Sequence, residues 1–255
     1  MNRICRQRSD RVDRSSGLLI FRDKENINHI QVLRIRDGEE IEVIDPIDHA
    51  LYRCRCPKAP SRGMKEVPFE LIESRPLREE RIRISLYQGI PKGSKLDTIV
   101  RQTTEIGVDA IVPVALRRSV AEAKKGDRLQ RIAEEAALQS KRESIPTVGD
   151  AVTLDQAISD LRACDMVLVF DEESSEPLRP TLSRFRERMQ GMERSIRIAV
   201  LIGPEGGLER SEVALLRDRV GDSVAVVSLG HRILRTETAG LSAISKILYE
   251  MEETV

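Results

Sequence analysis

Two short loops in the last quarter of the chain, each directly after an apolar run, constrain the fold most strongly. Residues 198–202 are apolar and lead into Gly-Pro-Glu-Gly-Gly at 203–207, and the largely apolar run 224–229 leads into a polar loop that ends at Ala239. Glycine permits positive φ and lets a ligand lie against backbone amides. Ligands of open α/β sheets bind where strands end. The two loops therefore predict one shared small-molecule pocket.

The second loop is unusually polar for a connection between a buried strand and a buried helix. Residues 231–238 contain two arginines, two threonines, one histidine and one glutamate. The first loop alone is also consistent with a purely structural turn, and it is neither a Walker loop nor a Gly-x-Gly-x-x-Gly fingerprint. The pair of loops favours a binding site, because solvated connections rarely need this density of polar groups.

The sequence pattern of the first third of the chain is typical of a small β-barrel. Residues 18–72 consist of short apolar runs separated by turn signals, and Asp37-Gly38 predicts a hairpin turn before a half-buried strand at Ile41 and Val43. Residues 1–16 are rich in arginine and have few apolar anchors. We expect them to form either a solvated arm or a contact with an RNA backbone.

From residue 81 onward, strand and helix periodicity alternate. The pattern holds about five or six strands, which is typical of a parallel sheet covered by helices on both faces. The sequence therefore predicts an α/β fold with a barrel domain at 1–72, a linker at 73–80 and a larger domain at 81–255. We find no internal repeat and no low-complexity segment.

Composition limits the class of protein. The 255 residues include 42 Lys and Arg against 42 Asp and Glu, so any RNA contact must come from local patches. Four cysteines lack metal-site spacing, which predicts no bound metal and reduced thiols in a cytoplasmic protein. No apolar run approaches the roughly 20 residues of a membrane span, so we expect no membrane association.

The motifs of the two loops resemble those of a known family. They are Leu201-Ile-Gly-Pro-Glu-Gly-Gly-Leu208 with Glu212, and Leu229-Gly-x-Arg-Ile-Leu-Arg235-x-Glu237-Thr-Ala239. They are similar to motifs of the bacterial SPOUT-class methyltransferases that modify N3 of a uridine in 16S ribosomal RNA. Further matches extend over nearly the whole chain: Lys92-Gly-x-Lys95, residues 101–108, residues 139–146 and residues 33–38. The chain departs from the family pattern at Ile4, Cys5, Leu138, Leu208 and Glu209.

This resemblance implies a SPOUT-type parallel sheet with a deep trefoil knot, preceded by a PUA-like β-barrel, and a homodimer. It also implies that S-adenosylmethionine (SAM) lies bent among three loops. The cofactor-binding residues that it implies are Phe170, Asp171, Leu201, Gly203, Pro204, Glu205, Gly206, Gly207, Ser228, Leu229, Gly230, Arg232, Ile233 and Leu234.

The resemblance also assigns chemistry and an RNA partner. Arg235 is expected to stabilise the uracil anion, and Glu205 or Glu237 to accept the N3 proton or to orient Arg235. For each carboxylate, a helix-cap or salt-bridge role is equally consistent with the sequence. The substrate is small-subunit rRNA, free or in the assembled subunit. Candidate RNA contacts are Arg3, Arg6, Arg8, Arg34, Arg117, Arg118, Lys124, Lys125, Lys141 and Arg142.

Three other functions remain open from the sequence. One is a SPOUT-class RNA methyltransferase that acts on another base or on a ribose. The second is a non-catalytic rRNA-binding assembly factor, which the intact Arg235, Glu237 and glycine loop disfavour. The third is a nicotinamide dehydrogenase, which the missing dinucleotide fingerprint disfavours.

Overall fold

A computed structural model describes residues 2–61, 63–120 and 126–251, and the chain divides into two compact units. The first unit is Met1–Glu79 with Ala137–Ile145, and the second is Glu80–Ala136 with Pro146–Val255. The first unit is therefore discontinuous in sequence, because it includes a segment that follows the first strands of the second.

The first unit is built on a six-stranded sheet and one helix. Its elements are β1 (Asn2–Cys5), β2 (Arg11–Asp13), β3 (Leu18–Phe21), α1 (Lys24–Val32), β4 (Glu40–Asp45), β5 (Ala50–Arg55) and β6 (Val67–Pro76). The strand order is β1-β4-β5-β6-β3-β2, with only the β1–β4 pair parallel among the described pairs. Phe21 and Phe69 pack edge to face within the buried core, with their ring centroids 5.5 Å apart.

The arginine-rich start of the chain is part of this sheet and is not a solvated arm. Strand β1 pairs with β4 along its whole length, and Ile4 and Cys5 are buried. Two apolar residues suffice to fix this strand because its backbone hydrogen bonds are made with β4.

Two further expectations for this unit need correction. A turn does form at Asp37-Gly38, where the Glu39 amide donates to the Arg36 carbonyl at 3.1 Å, but it joins α1 to β4 and does not connect two strands. Helix α1 begins after Asp23, whose side chain accepts the Glu25 and Asn26 amides. The expected linker is also shorter, since residues 73–76 continue β6 and pair with β5.

The second unit alternates strands and helices. Its elements are β7 (Ile82–Gly89), α2 (Lys95–Ile106), β8 (Ala110–Ala115), α3 (Gly126–Gln139, whose last turn falls in the first unit), β9 (Thr147–Val148), β10 (Val152–Thr153), α4 (Leu154–Leu161), β11 (Met166–Phe170), α5 (Leu178–Met189), β12 (Ile196–Ile202), α6 (Arg210–Val220), β13 (Val224–Val227) and α7 (Thr236–Met251). The order is β10-β8-β7-β12-β11-β13, with β9 beside β8.

Every described strand pair of this sheet is parallel. One core includes residues of α2, α5 and α7, and another includes residues of α4 and α6. The expected parallel α/β fold is therefore confirmed. Gly107, at φ 118°, ends α2 before β8, so β7, α2 and β8 form a β-α-β unit.

Among the described residues, no helix combines the length and the apolar character needed to cross a bilayer.

Candidate functional site

The carboxyl ends of four neighbouring strands lie in one row. Phe170 of β11 is in register with Ile202 of β12 and Val227 of β13, and Ile202 is in register with Gln88 of β7. The loops after β11, β12 and β13 therefore leave the same edge of the sheet. They line a cavity of about 940 Å³, which is in the size range of small-molecule and cofactor sites.

All but one of the expected cofactor-binding residues lie on the wall of this cavity. The wall residues among them are Phe170, Asp171, Gly203, Pro204, Glu205, Gly206, Gly207, Ser228, Leu229, Gly230, Arg232, Ile233 and Leu234. The exception is Leu201, which is fully buried in the core that contains α4 and α6. Side chains alternate between sheet faces along a strand, so the next residue, Ile202, lies on the wall instead.

The path of the 203–207 loop requires glycine at two positions, Gly203 in the loop and Gly89 at the end of β7. A Cβ atom on Gly203 would lie 2.8 Å from the Gly207 backbone, and one on Gly89 would lie 2.6 Å from Pro204. Gly207, at φ 70°, donates its amide to the Pro204 carbonyl at 2.9 Å. The end of β7 and the glycine loop are thus in direct backbone contact.

A buried hydroxyl joins this loop to the start of α7. The Thr236 side chain donates to the Gly203 carbonyl at 2.7 Å and accepts from the Gln88 amide at 2.9 Å. Both residues are almost fully buried. Sequence reasoning gave neither residue a role, because Gln88 and Thr236 are 148 positions apart.

Glu209 and Glu212 form a capping box at the start of α6, the helix after the glycine loop. The Glu209 amide donates to Glu212 Oε2 at 2.8 Å, and the Arg117 amide donates to Glu212 Oε1 at 2.9 Å. The Arg118 guanidinium donates to the Gly206 carbonyl at 2.5 Å and lies on the cavity wall. The segment after β8 therefore supports the glycine loop and the start of α6.

Both candidate catalytic carboxylates contact one lysine that the site prediction omitted. Lys95 Nζ lies 2.8 Å from Glu205 Oε1 and 3.6 Å from Glu237 Oε2. Burial by itself would raise the pKa of Glu205, but hydrogen bonds from Lys95 and the Lys92 amide outweigh it and lower this pKa below its ordinary value. The hydrogen bond with Glu205 raises the pKa of Lys95. Lys95 and Glu205 line the cavity, whereas Glu237 lies beside Lys95 and is not a wall residue.

The 228–235 loop brings two arginines to the cavity without internal partners. Arg232 and Arg235 are exposed wall residues, and within residues 2–61, 63–120 and 126–251 neither guanidinium has a hydrogen bond or ion pair. The Arg235 carbonyl accepts the Thr238 and Ala239 amides in the first turn of α7. Ile233, between the two arginines, is 81% exposed and adds an apolar side chain to the same rim.

Some candidate RNA-binding residues of the first unit are held by partners within the fold, and others are exposed. Arg3 Nε donates to Glu42 at 2.8 Å, and Arg6 is 2.5 Å from the fully buried carboxylate of Asp45. Arg8 and Arg34 are exposed, and Arg142 donates to Ser144 Oγ at 2.9 Å. Lys141 is exposed, and its carbonyl accepts from Arg3. The candidates Lys124 and Lys125 lie outside the described residues.

The described part of the chain holds no group of three or more His, Cys, Asp or Glu side chains with the geometry of a metal site. Its cysteines are free thiols. Burial raises the pKa of Cys54 to about 12 and also raises the pKa of Cys164. Thiols with raised pKa values are poor nucleophiles, and none of the described cysteines lines the cavity.

Comparison with known protein families gives two matches. Residues 78–248 match an RNA methyltransferase domain, and residues 21–55 match an RNA methyltransferase PUA domain. The chain is 34% identical to the ribosomal RNA small subunit methyltransferase E of Bacillus subtilis (strain 168), covering 89% of each chain. It is 32% identical to the protein of that name from Aquifex aeolicus, covering 92% of this chain and 96% of the relative.

A solved structure with the same architecture is similar along almost the whole chain. It is the crystal structure of a ribosomal RNA small subunit methyltransferase E from Neisseria gonorrhoeae bound to S-adenosyl methionine. The two share 25% sequence identity with a TM-score of 0.77, covering 98% of this chain and 97% of the other.

Proposed function

This chain belongs to the ribosomal RNA small subunit methyltransferase E family, and from that premise we propose that it methylates N3 of one uridine in 16S rRNA. It is a SAM-dependent rRNA methyltransferase. The choice of base and atom is the part proposed here. The observation that supports it is the convergence of three strand-end loops, with Arg235 at their rim, on one cavity.

The cavity suits SAM. Gly203 and Gly207 expose backbone on the wall, and Phe170 and Leu229 supply apolar surface for a nucleoside. When bound, SAM supplies an electrophilic methyl group on a positively charged sulfur. The residues of this chain must then place a uracil N3 in line with that methyl group, and such positioning can account for much of the rate acceleration.

Uracil N3 carries a proton that must leave as the N–CH₃ bond forms. Loss of this proton leaves negative charge on the ring, which a guanidinium stabilises by charge-assisted hydrogen bonds. Arg235 is suited to this task because it is exposed on the wall and, within the described residues, the fold does not engage its guanidinium. We propose Arg235 as the group that contacts the base. Of the two candidate carboxylates, we propose Glu205 as the proton acceptor, because it lies on the cavity wall and Glu237 does not.

RNA recognition is proposed to use arginines that the fold leaves available. Arg8 and Arg34 of the first unit are exposed, whereas Arg3 and Arg6 are already held by Glu42 and Asp45. In the second unit, Arg118 lies on the cavity wall and donates to the Gly206 carbonyl, and Arg117 is paired with Glu209 at 3.7 Å, so these two arginines are proposed to contact RNA with their remaining donors. Contacts of this kind position the nucleic acid through its phosphates and carry no sequence information by themselves.

Further properties of the family are proposed for this chain as well. These are a trefoil knot in the second unit, a homodimer, action in the cytoplasm, and a substrate that is either free rRNA or the assembled small subunit. Light scattering of the purified protein tests the dimer. Methylation assays with naked rRNA and with undermethylated subunits separate the two forms of substrate.

Mass mapping of rRNA tests the assigned reaction directly. Cells that lack this protein should lose one N3-methyluridine from the small-subunit rRNA, and the purified protein with SAM should restore it in vitro. Persistence of every N3-methyluridine in those cells would show that the acceptor is a different base or a ribose. Calorimetry with SAM gives an independent check on the cofactor.

A further inference from the structure

Three chain segments that are distant in sequence meet at Lys95. Lys95 is the first residue of α2, Glu205 is the middle residue of the glycine loop, and Glu237 is in the first turn of α7. The ammonium group is 2.8 Å from Glu205 and 3.6 Å from Glu237. The Lys92 amide adds a hydrogen bond to Glu205 Oε1 at 3.2 Å. The glycine loop is thereby tied to the segment that precedes α2.

The two carboxylates differ in what they face. Glu205 lies on the cavity wall and accepts from the Lys95 side chain and the Lys92 amide. Glu237 is not a wall residue, and its Oε2 atom is buried with no hydrogen-bond partner within the described residues. Its nearest cation there is Lys95, at ion-pair distance. A buried carboxylate oxygen with this single contact is placed to hold the lysine and not to reach a ligand.

We propose that Lys95 is a positioning residue of the methyl-transfer site, which fixes Glu205 toward the cavity while Glu237 holds Lys95 from the opposite side. Glu205 is then the carboxylate that faces the ligand, and Glu237 acts only through Lys95. This inference rests on the proposed function, because it assigns roles within that same site.

Removal of Lys95 has a predictable electrostatic consequence. Lys95 contacts Glu205 and is paired with Glu237, Arg118 donates to the adjacent Gly206 carbonyl, and Arg235 lines the same cavity. With Lys95 absent, Glu205 loses the hydrogen bond and the charge that lower its pKa, while burial still favours its protonated form, so its pKa rises. As the pH is lowered, a reaction that needs ionised Glu205 then slows at a higher pH than in the wild type.

The test combines Lys95→Met, Glu237→Gln and the double variant, with Lys95→Arg as the conservative replacement. Arg101→Gln is the matched control, because it removes one positive charge from an exposed position of the same helix. For each protein, calorimetry gives the Kd of SAM, and single-turnover assays on rRNA give the pH profile of methyl transfer. Thermal melting confirms that each variant is folded.

We expect Lys95→Met to move the acid limb of the pH profile to higher pH and to lower the rate at neutral pH by about tenfold or more. Lys95→Arg should restore most of the rate, Glu237→Gln should cause a smaller loss, and Arg101→Gln should leave the acid limb unchanged. The double variant should match Lys95→Met, because residues that act through one another are non-additive.

Two results would overturn the inference. One is an acid limb in Lys95→Met that coincides with the wild-type limb. The other is a further tenfold loss when Glu237→Gln is added to Lys95→Met, which would make Glu237 act on the substrate directly. Failure of the proposed function looks different, since the wild-type protein itself would then leave the N3-methyluridine unformed.

Discussion

Three paired arginines of the first unit differ from the two arginines of the 228–235 loop in what their guanidinium groups contact. Arg3, Arg6 and Arg75 are paired with Glu42, Asp45 and Glu143, respectively. Arg232 and Arg235 have no such partner within the described residues, although both line the cavity. An arginine without a partner in the fold is available to a ligand. We therefore expect the paired arginines to contribute to stability and the unpaired arginines of the loop to contribute to catalysis.

The two groups should affect stability differently because a buried charge without a partner is costly. The Asp45 carboxylate is completely buried and would lose its closest ion-pair partner if Arg6 were removed. Arg235 is exposed to solvent, so the folded state loses no ion pair when its side chain is truncated. The following predictions test this contrast.

The largest effect is expected for Arg235→Ala. Methyl transfer should fall by roughly 100-fold or more, the usual loss for a group that stabilises developing negative charge. The Kd of SAM should stay within about tenfold of the wild type, and the melting temperature should not change. Arg235→Lys should be intermediate, because a lysine keeps the charge but loses the planar pair of donors. Equal losses of SAM affinity and rate would instead make Arg235 a structural residue.

Arg6→Ala should produce the opposite pattern. Within residues 2–61, 63–120 and 126–251, the remaining hydrogen-bond partners of the Asp45 carboxylate are the backbone amides of residues 47 and 48. We expect a loss of about 2 kcal/mol in the free energy of unfolding. The methyl-transfer rate of the folded protein should be nearly unchanged. Arg8→Ala, at an exposed position, is the control and should cost under about 0.5 kcal/mol. Urea unfolding measures both, and equal costs would remove the distinction between paired and free arginines.

Gly203→Ala tests whether the cavity depends on the backbone as much as on its charges. The added methyl group would lie 2.8 Å from the Gly207 backbone, so the loop must shift, at a cost of about 1–2 kcal/mol. SAM affinity should fall along with stability. Gly149→Ala is the matched control, since its nearest contact would be an ordinary 3.9 Å. A wild-type Kd for SAM in Gly203→Ala would show that the cofactor does not need this loop path.

The smallest effect is expected from the Arg75–Glu143 pair. The hydrogen bond from Arg75 is the main reason that the pKa of Glu143 falls from 4.5 to about 2. A lowered folded-state pKa contributes stability above pH 4.5, and this contribution is lost as pH falls from 4.5 toward 2. The pair is partly exposed, so the contribution should be under about 1 kcal/mol.

Glu143→Gln should therefore be slightly less stable than the wild type at pH 7, and the difference should vanish near pH 2. Urea midpoints measured from pH 7 to pH 2 give this comparison, with the exposed Glu70→Gln variant as the control. A difference that stays constant with pH would show that the ion pair does not contribute.

The sequence predicted the buried parts of the second unit well. Strand β11 is apolar along its whole length because it is buried on both faces. Strand β12 ends where its apolar run does but begins two residues earlier, at Ile196, and includes the exposed Arg197. The two ligand loops directly follow the ends of β12 and β13. Helix α1 was missed because it is short and polar, with only Asn26, Ile27 and Ile30 buried.

The contacts within the site were harder to predict. Lys95 and Glu205 are 110 residues apart, and Arg3 and Glu42 are 39 apart, so their pairing depends on strand order. Sequence patterns report which face a residue occupies but not which distant charge it meets. Leu201 and Ile202 are neighbours in β12, yet strand alternation places the Leu201 side chain in a core and Ile202 on the cavity wall.

The discontinuity of the first unit has a consequence for synthesis on the ribosome. Arg3 donates to the carbonyls of Lys141 and Arg142, and Arg75 binds Glu143, so this unit is complete only after residue 145 has emerged. By then β7, α2 and β8 have already left the exit tunnel. Domains usually fold one after another as the chain emerges. Here the nascent chain must keep the first unit unfinished while it starts the second, so the two folding processes overlap in time.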